Sequence, residues 1–316
     1  MLLACAAALA PVPAASQNPA ARVGLLGPDE QPRFSEIAAG LKQGLREQGQ
    51  AQSAFQIIEA RVARGDSANA KSIVGKLAAQ RVAVLFVIGS NLARLARDSA
   101  PALPIVFITP GDPVAAGLVS SLARPGRNMT ALTFEYPELS AKRLELLRDL
   151  APGIRRVLIL YDPRDASPRQ GAAAARAAAG ALGMTLVEVQ VRTAQEISAG
   201  LSKLDEADAL LGIPGGITSG HYKAMISAAS ARKRPAILFT HSPSTRDALL
   251  SYGASDVEVA RQAARVIVKI VKGENAGELA VERPAKLTLV INLRTAKALG
   301  LTVPPALLLR ADHVIE

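Results

Sequence analysis

Tryptophan is absent from this 316-residue chain, and Phe contributes only six residues and Tyr four. The cores are therefore packings of Ala, Val, Leu and Ile, and an aromatic cage around a flat ligand is hard to assemble from so few rings. Cysteine occurs once, as Cys5, which excludes an internal disulfide and a thiolate metal cluster. The three histidines, His221, His241 and His313, lie far apart and show no metal-ligand spacing. There is no Gly-x-Ser-x-Gly nucleophile elbow and no phosphate-cradling P-loop. Gly24-Leu25-Leu26-Gly27 carries only part of a dinucleotide-binding glycine pattern, and His241-Ser242 with Asp247 nearby is no more than chance provides. These absences leave no catalytic residue, metal or cofactor to assign.

Beyond the first fifteen residues, no apolar run approaches the ~18 residues that a membrane span needs. Met1 begins MLLACAAALAPVPAA, an apolar stretch followed by small residues, as in a secretory leader that is cleaved near Ala14 or Ala15. Leu2-Leu3-Ala4-Cys5 is also similar to a lipoprotein box, in which Cys5 carries lipid. Either reading takes the chain out of the cytoplasm, into the periplasm, with residues 1–21 as the leader. The formal net charge is +10, yet Lys and Arg are scattered and the densest run, Arg232-Lys233-Arg234, is three residues long. Without a zinc-finger spacing, an RNA-binding aromatic signature or a basic arm, a solvated basic surface is expected and no nucleic-acid partner.

What the chain does have is a regular alternation of short apolar runs and helix-spaced segments. Strands are expected at residues 22–26, 55–62, 83–88, 105–108 and 129–134, with helices at 34–48, 67–80 and 92–98 and a short one at 115–122. A second series follows. Its strands are expected at 156–161, 185–191, 209–213 and 236–240, and its helices at 139–150, 171–182, 194–204 and 221–233. A strand near 249–253, a helix at 257–272 capped by Asp256, a strand at 287–291 and a short helical tail complete the chain. Strand–helix alternation with short links implies βαβ units and parallel sheets. Length points to two lobes, since one core rarely serves so many residues. The stretch from Leu103 to Phe134 organises the first lobe: a buried strand ends in Thr109-Pro110-Gly111-Asp112-Pro113, a tight polar loop where open α/β sheets place ligands.

Several segments resemble one family. Pro104-Ile105-Val106-Phe107, Gly111-Asp112-Pro113-Val114-Ala115-Ala116-Gly117-Leu118-Val119 and Ser121-Leu122-Ala123-Arg124-Pro125-Gly126 carry the likeness. So do Leu289-Val290-Ile291-Asn292-Leu293, Thr295-Ala296-Lys297-Ala298-Leu299-Gly300-Leu301 and the ending Arg310-Ala311-Asp312 with Val314-Ile315-Glu316. Together they resemble the ABC transporter substrate-binding proteins of tryptophan and tyrosine type. The resemblance implies a type I periplasmic-binding-protein fold: two doubly wound parallel-sheet lobes, joined by three crossover segments, closing on a small-molecule ligand. Residues 22–134 with 249–278 are expected in the first lobe and 135–248 with 279–300 in the second, with 301–316 assigned to neither. The crossovers are expected near residues 134–137, 248–251 and 279–284. The implied partner is an ABC permease in the membrane, the implied ligand an amino acid or related solute, and the protein a monomer. A sensor docking on a membrane receptor, or an exported α/β enzyme, are the alternatives.

Candidate ligand contacts follow from where strands end. Gly89, Ser90 and Asn91 sit at a strand-to-helix turn, with Ser90 a partner for a carboxylate or hydroxyl, or a plain cap. Thr109 and Asp112 end the fourth strand; Asp112 either holds an ammonium group or bonds its own backbone. Asp29 either closes the site from the first loop or is solvated. Asp162, Asp165 and Thr218 follow strands of the second lobe, and Tyr252 lies by a crossover, as cleft wall or hinge. The loop with Pro28-Asp29-Glu30-Gln31 and the loop Pro214-Gly215-Gly216-Ile217-Thr218 depart from the family's usual form.

Overall fold

The computed structural model describes residues 20–29, 33–49, 54–63, 65–133, 137–240, 242 and 245–316. Strand β1 (Ala21–Pro28) leads to helix α1 (Arg33–Glu47), followed by β2 (Phe55–Val62), α2 (Ser67–Ala79), β3 (Val84–Ile88), α3 (Ser90–Ser99), β4 (Ile105–Thr109) and β5 (Met129–Thr133). These five strands form one parallel sheet in the order β2-β1-β3-β4-β5. Every residue of β3 and β4 is buried, as expected of strands covered on both faces. Nearly all of the leader falls outside the described residues; Ala21, its last expected residue, opens β1.

The expected helix at 115–122 is instead a string of turns. Gly117 takes a φ of +66°, which ends the helical run after one turn. The carbonyls thus freed are taken by Arg94 Nη2, 2.6 Å from the Ala116 oxygen, and Arg97 Nη1, 3.0 Å from the Gly117 oxygen.

The second lobe begins with α4 (Pro137–Leu150). Next come β6 (Arg156–Tyr161), α5 (Ala166–Ala181), β7 (Thr185–Gln190), α6 (Ala194–Gly200), β8 (Ala209–Gly212), α7 (Gly216–Ser219), α8 (Tyr222–Ala231), β9 (Ala236–Leu238) and β10 (Leu250–Gly253). Helix α9 (Asp256–Val271) then returns to the first lobe, and β11 (Thr288–Asn292), α10 (Leu293–Ala298), α11 (Pro305–Leu308) and β12 (His313–Ile315) finish the second. The second sheet runs β12-β11-β10-β9-β8-β6-β7, parallel except where β11 meets β10. The architecture is the two-sheet α/β fold expected.

The lobe boundaries shift from the expected positions. Leu250 pairs with Ile237 and Ile291, so β10 belongs to the second sheet, and the passage to the first lobe comes after Gly253. Residues 279–282 lie along β5: Thr130 Oγ1 donates to the Leu279 carbonyl, Glu282 N to Ala131 O and Thr133 N to Glu282 O. The last passage therefore follows Glu282. The first, near residues 134–137, lies almost wholly outside the described residues. The tail joins the second lobe, because β12 pairs with β11.

Helices α1 and α9 cover one face of the first sheet. A Cβ on Gly40 would overlap the Val257 carbonyl, and one on Gly44 the Arg261 carbonyl, so these two glycines, one turn apart, let the helix backbones touch. Gly75 in α2, by contrast, faces open space. Gly40→Val should lower unfolding free energy by about 2–3 kcal/mol through overpacking. Gly75→Ala should raise it by about 0.5–1 kcal/mol through helix propensity. Urea titration of the two variants measures both signs.

One buried apolar cluster is continuous across the molecule. It joins Leu25, Phe86 and Ile267 of the first lobe to Leu160, Leu210 and Phe239 of the second.

Candidate functional site

Parallel sheets aim their carboxyl ends, and the helix N-termini that follow, at one edge. In this chain the two edges face each other. Ser90, the first residue of α3, follows Gly89, whose φ of +96° turns the chain sharply out of β3. Ser90 Oγ lies 2.8 Å from Thr109 Oγ1 at the end of β4. Both reach across to Ser167, in the first turn of α5 of the other lobe, at 3.3 Å and 3.5 Å. All three hydroxyls are buried: Ser90 is 5%, Thr109 1% and Ser167 4% exposed. Gly111 packs so tightly on Ser167 that a Cβ there would overlap its side chain and Cα. The Asp112 N–H donates to Gln170 Oε1 at 3.2 Å, a second polar link between the lobes.

A second group lies where α1, α8 and α9 begin. Arg33 donates through Nε and Nη2 to both oxygens of Asp256, at 2.8 Å and 3.2 Å. Ser255 is therefore the N-cap position of α9, and Asp256, expected as the cap, is committed to the guanidinium instead. Glu36, one turn along α1, has both carboxylate oxygens buried and unpartnered. Burial pushes the Glu36 carboxyl up, the Asp256 charge adds to this, and Arg33 opposes it. Tyr222, opening α8 of the second lobe, feels the charges of both Arg33 and Asp256. Burial raises its phenol well above the usual range. Its ring meets Phe239 edge-on, with centroids 5.4 Å apart. Beneath lies Arg143, fully buried, donating from Nε to the Tyr252 carbonyl at 2.7 Å and standing 5.8 Å from the Phe239 ring centroid.

Of the residues singled out from sequence, the structure brings Gly89, Ser90 and Thr109 together. The acids are engaged locally. Asp112 is exposed, and its Oδ1 accepts from the Val114 and Ala115 N–H groups at 2.8 Å and 3.3 Å. Burial disfavours ionisation of Asp162, but the side chain and N–H of Arg164 outweigh it and hold that carboxyl below the usual range. Asp165 caps α5, accepting from Ser167 N at 3.3 Å. Thr218 donates to the Ile213 carbonyl at 2.9 Å. Tyr252 packs against the core of its own lobe, while Asn91 and Asp29 are exposed.

Sequence reasoning missed Ser167, Gln170, Arg33, Glu36, Arg143 and Asp256. Asp165-Ala166-Ser167-Pro168 is a helix-start pattern and carries the signal for Ser167. A cavity of about 480 Å³ between Arg246, Asn292 and Thr295 lies at the far pole of the second lobe, away from these groups. Among the described residues, no cluster of three His, Cys, Asp or Glu could hold a metal ion, and no helix is long and apolar enough to cross a membrane.

A family model for ABC transporter substrate binding proteins matches residues 22–315. The tyrosine-binding protein of Clostridioides difficile is 23% identical over 273 residues, covering 86% of this chain and 79% of that one. The ABC domain in complex with L-Trp from Streptococcus pneumoniae superposes with a TM-score of 0.85 at 22% identity, over 94% of this chain and 100% of that one. A conserved domain protein from Vibrio cholerae gives 0.84 at 26% identity, over 93% and 99% of the two chains. With its type I periplasmic-binding-protein fold, this chain belongs to the ABC transporter substrate-binding protein family, extracytoplasmic proteins that bind small molecules and work with a membrane permease.

Proposed function

We propose that the protein captures an amino acid or a closely related carboxylate between its lobes in the periplasm, as a monomer, and delivers it unaltered to an ABC permease. The observation that carries this reading is the set of three buried hydroxyls, Ser90, Thr109 and Ser167, drawn from both lobes. Each hydroxyl has one donor and two acceptor sites, so the set retains capacity for a ligand oxygen. Ser90 opens α3 and Ser167 lies in the first turn of α5, so the positive ends of two helices favour a negative ligand group there. The names of the relatives, a tyrosine-binding protein and a complex with L-Trp, support an amino acid. Lobe closure is the mechanism, and no bond of the solute is made or broken. Lipid on Cys5 and cleavage of the leader remain the two ways of releasing or tethering the product of export.

A thermal-shift screen of the twenty amino acids identifies the ligand, because binding raises the apparent melting temperature. Ser90→Ala and Ser167→Ala should each weaken it by about 1.5–3 kcal/mol, the value of a hydrogen bond to a charged group. Titration calorimetry reads this directly. Unchanged affinity in both variants would remove the hydroxyl set from the site.

A further inference from the structure

We propose that Glu36 is the acceptor for a cationic group on the bound solute, so that the cleft selects a ligand bearing an amine. The inference rests on the reading that solute binds between the lobes, and it adds the group that discriminates. Both Glu36 oxygens are shut off from water, and neither has a hydrogen-bond partner. A carboxylate buried without a partner is costly, and folded proteins rarely keep one without a use. The cation beside it is already committed: Arg33 grips both oxygens of Asp256, so one guanidinium stands among two carboxylates. Among the described residues, this group holds two carboxylates and one guanidinium.

Its position fits a ligand. Glu36 is in the first turn of α1, the helix that springs from the carboxyl end of β1, on the sheet edge that also presents Gly89 and Thr109. Arg33 and Asp256, which flank it, feel the phenol of Tyr222 from the opposite lobe, so the group lies at the seam that closure seals. Sealing removes competing water and strengthens an ion pair formed there. A solute that brings an ammonium group supplies a second positive charge. A solute without one leaves the carboxylate unpaired, which is the more selective half of recognition.

The test uses wild type and Glu36→Gln with four probes: L-tyrosine, L-tryptophan, their amine-free analogues 3-(4-hydroxyphenyl)propanoate and indole-3-propanoate. Putrescine, an amine without a carboxylate, is a fifth. Calorimetry should show wild type preferring an amine-bearing probe over its matched acid by about tenfold to a hundredfold. Glu36→Gln should lose that preference while keeping its affinity for the acid. Without ligand, Glu36→Gln should melt at or above wild type, because it removes a buried unpaired charge. A lower melting point would mark Glu36 as structural and overturn the proposal. So would a glutamine variant that keeps the preference, or a wild type that takes the acids as tightly. Amino acids bound with unchanged affinity by Glu36→Gln would sink this inference and leave the proposed function standing. Putrescine bound through Glu36, with no amino acid bound, would do the reverse. Silence of wild type toward every probe, and toward all twenty amino acids in the thermal-shift screen, would overturn both.

Discussion

Gly111→Val should hold the two lobes apart and cost the protein its ligand affinity. At Gly111 the first lobe packs tightly on the second: a side chain would overlap Ser167 of α5, its backbone included. The loop has little freedom to retreat. The Gly111 carbonyl accepts from Thr133 Oγ1 at 2.8 Å, and its N–H donates to Thr109 Oγ1 at 3.3 Å. The α5 side is equally fixed, because Ser167 lies in the first turn of a helix capped by Asp165. The added methyl groups must therefore be accommodated by opening the cleft. Overpacking of this kind costs about 1–3 kcal/mol. Because it falls on the closed state alone, it reduces the binding-competent population by about ten- to a hundredfold, and affinity falls by the same factor. Small-angle scattering should show wild type contracting on ligand addition and the variant staying extended. Unfolding of the ligand-free variant should be nearly unchanged, since the insertion meets the other lobe and not a core. A variant that contracts and binds normally would mean that the Gly111–Ser167 contact plays no part in closure.

The parallel sheets were legible because buried strands announce themselves. Val84–Ile88 and residues 105–108 are short, apolar throughout and bounded by turn formers, and both lie in strands with a neighbour on each side in the first sheet. What the sequence did not reveal was which sheet a strand joins. Leu250 to Gly253 looks like any strand, and its membership of the second sheet depends on pairing with residues near 237 and 290, which no local pattern encodes. The tail strand β12 was missed for the same reason: three residues pair only because β11 is already placed.

The site divides along similar lines. Ser90 and Thr109 could be found because strand ends converge in this architecture. The acids could be located but not interpreted. Asp112, Asp162 and Asp165 carry the charge a ligand would seek, yet each has a backbone N–H within three residues, and those short-range bonds take the carboxylates first. Arg33 and Glu36 were hidden differently. Charged residues in the first turn of an amphipathic helix read as a solvated face, and only tertiary packing buries them.

Gly253→Ala should destabilise the protein by about 3 kcal/mol, at the upper end of ordinary overpacking. Gly253 ends β10, where the chain passes from the second lobe back to the first. A Cβ there would overlap the carbonyl oxygen of Phe239, the residue after the neighbouring strand β9, and stand 3.0 Å from Arg143 Nη2. None of these neighbours can yield cheaply. Phe239 is buried, with its ring held edge-on against Tyr222. Arg143 is wholly enclosed, and its Nε is anchored on the Tyr252 carbonyl. Moving it leaves a guanidinium and a carbonyl short of partners in the interior, which costs more than the methyl group itself. Denaturant unfolding should show the loss. The same experiment with saturating ligand separates two roles for the residue. If Gly253 serves packing alone, ligand stabilises variant and wild type by equal amounts. If the glycine also sets the angle at which α9 re-enters the first lobe, the variant gains less from ligand than wild type, because Asp256 and Arg33 then meet the seam out of position. An alanine variant as stable as wild type would show that the β9–β10 strands part easily here, and would remove Arg143 as the anchor of this crossover.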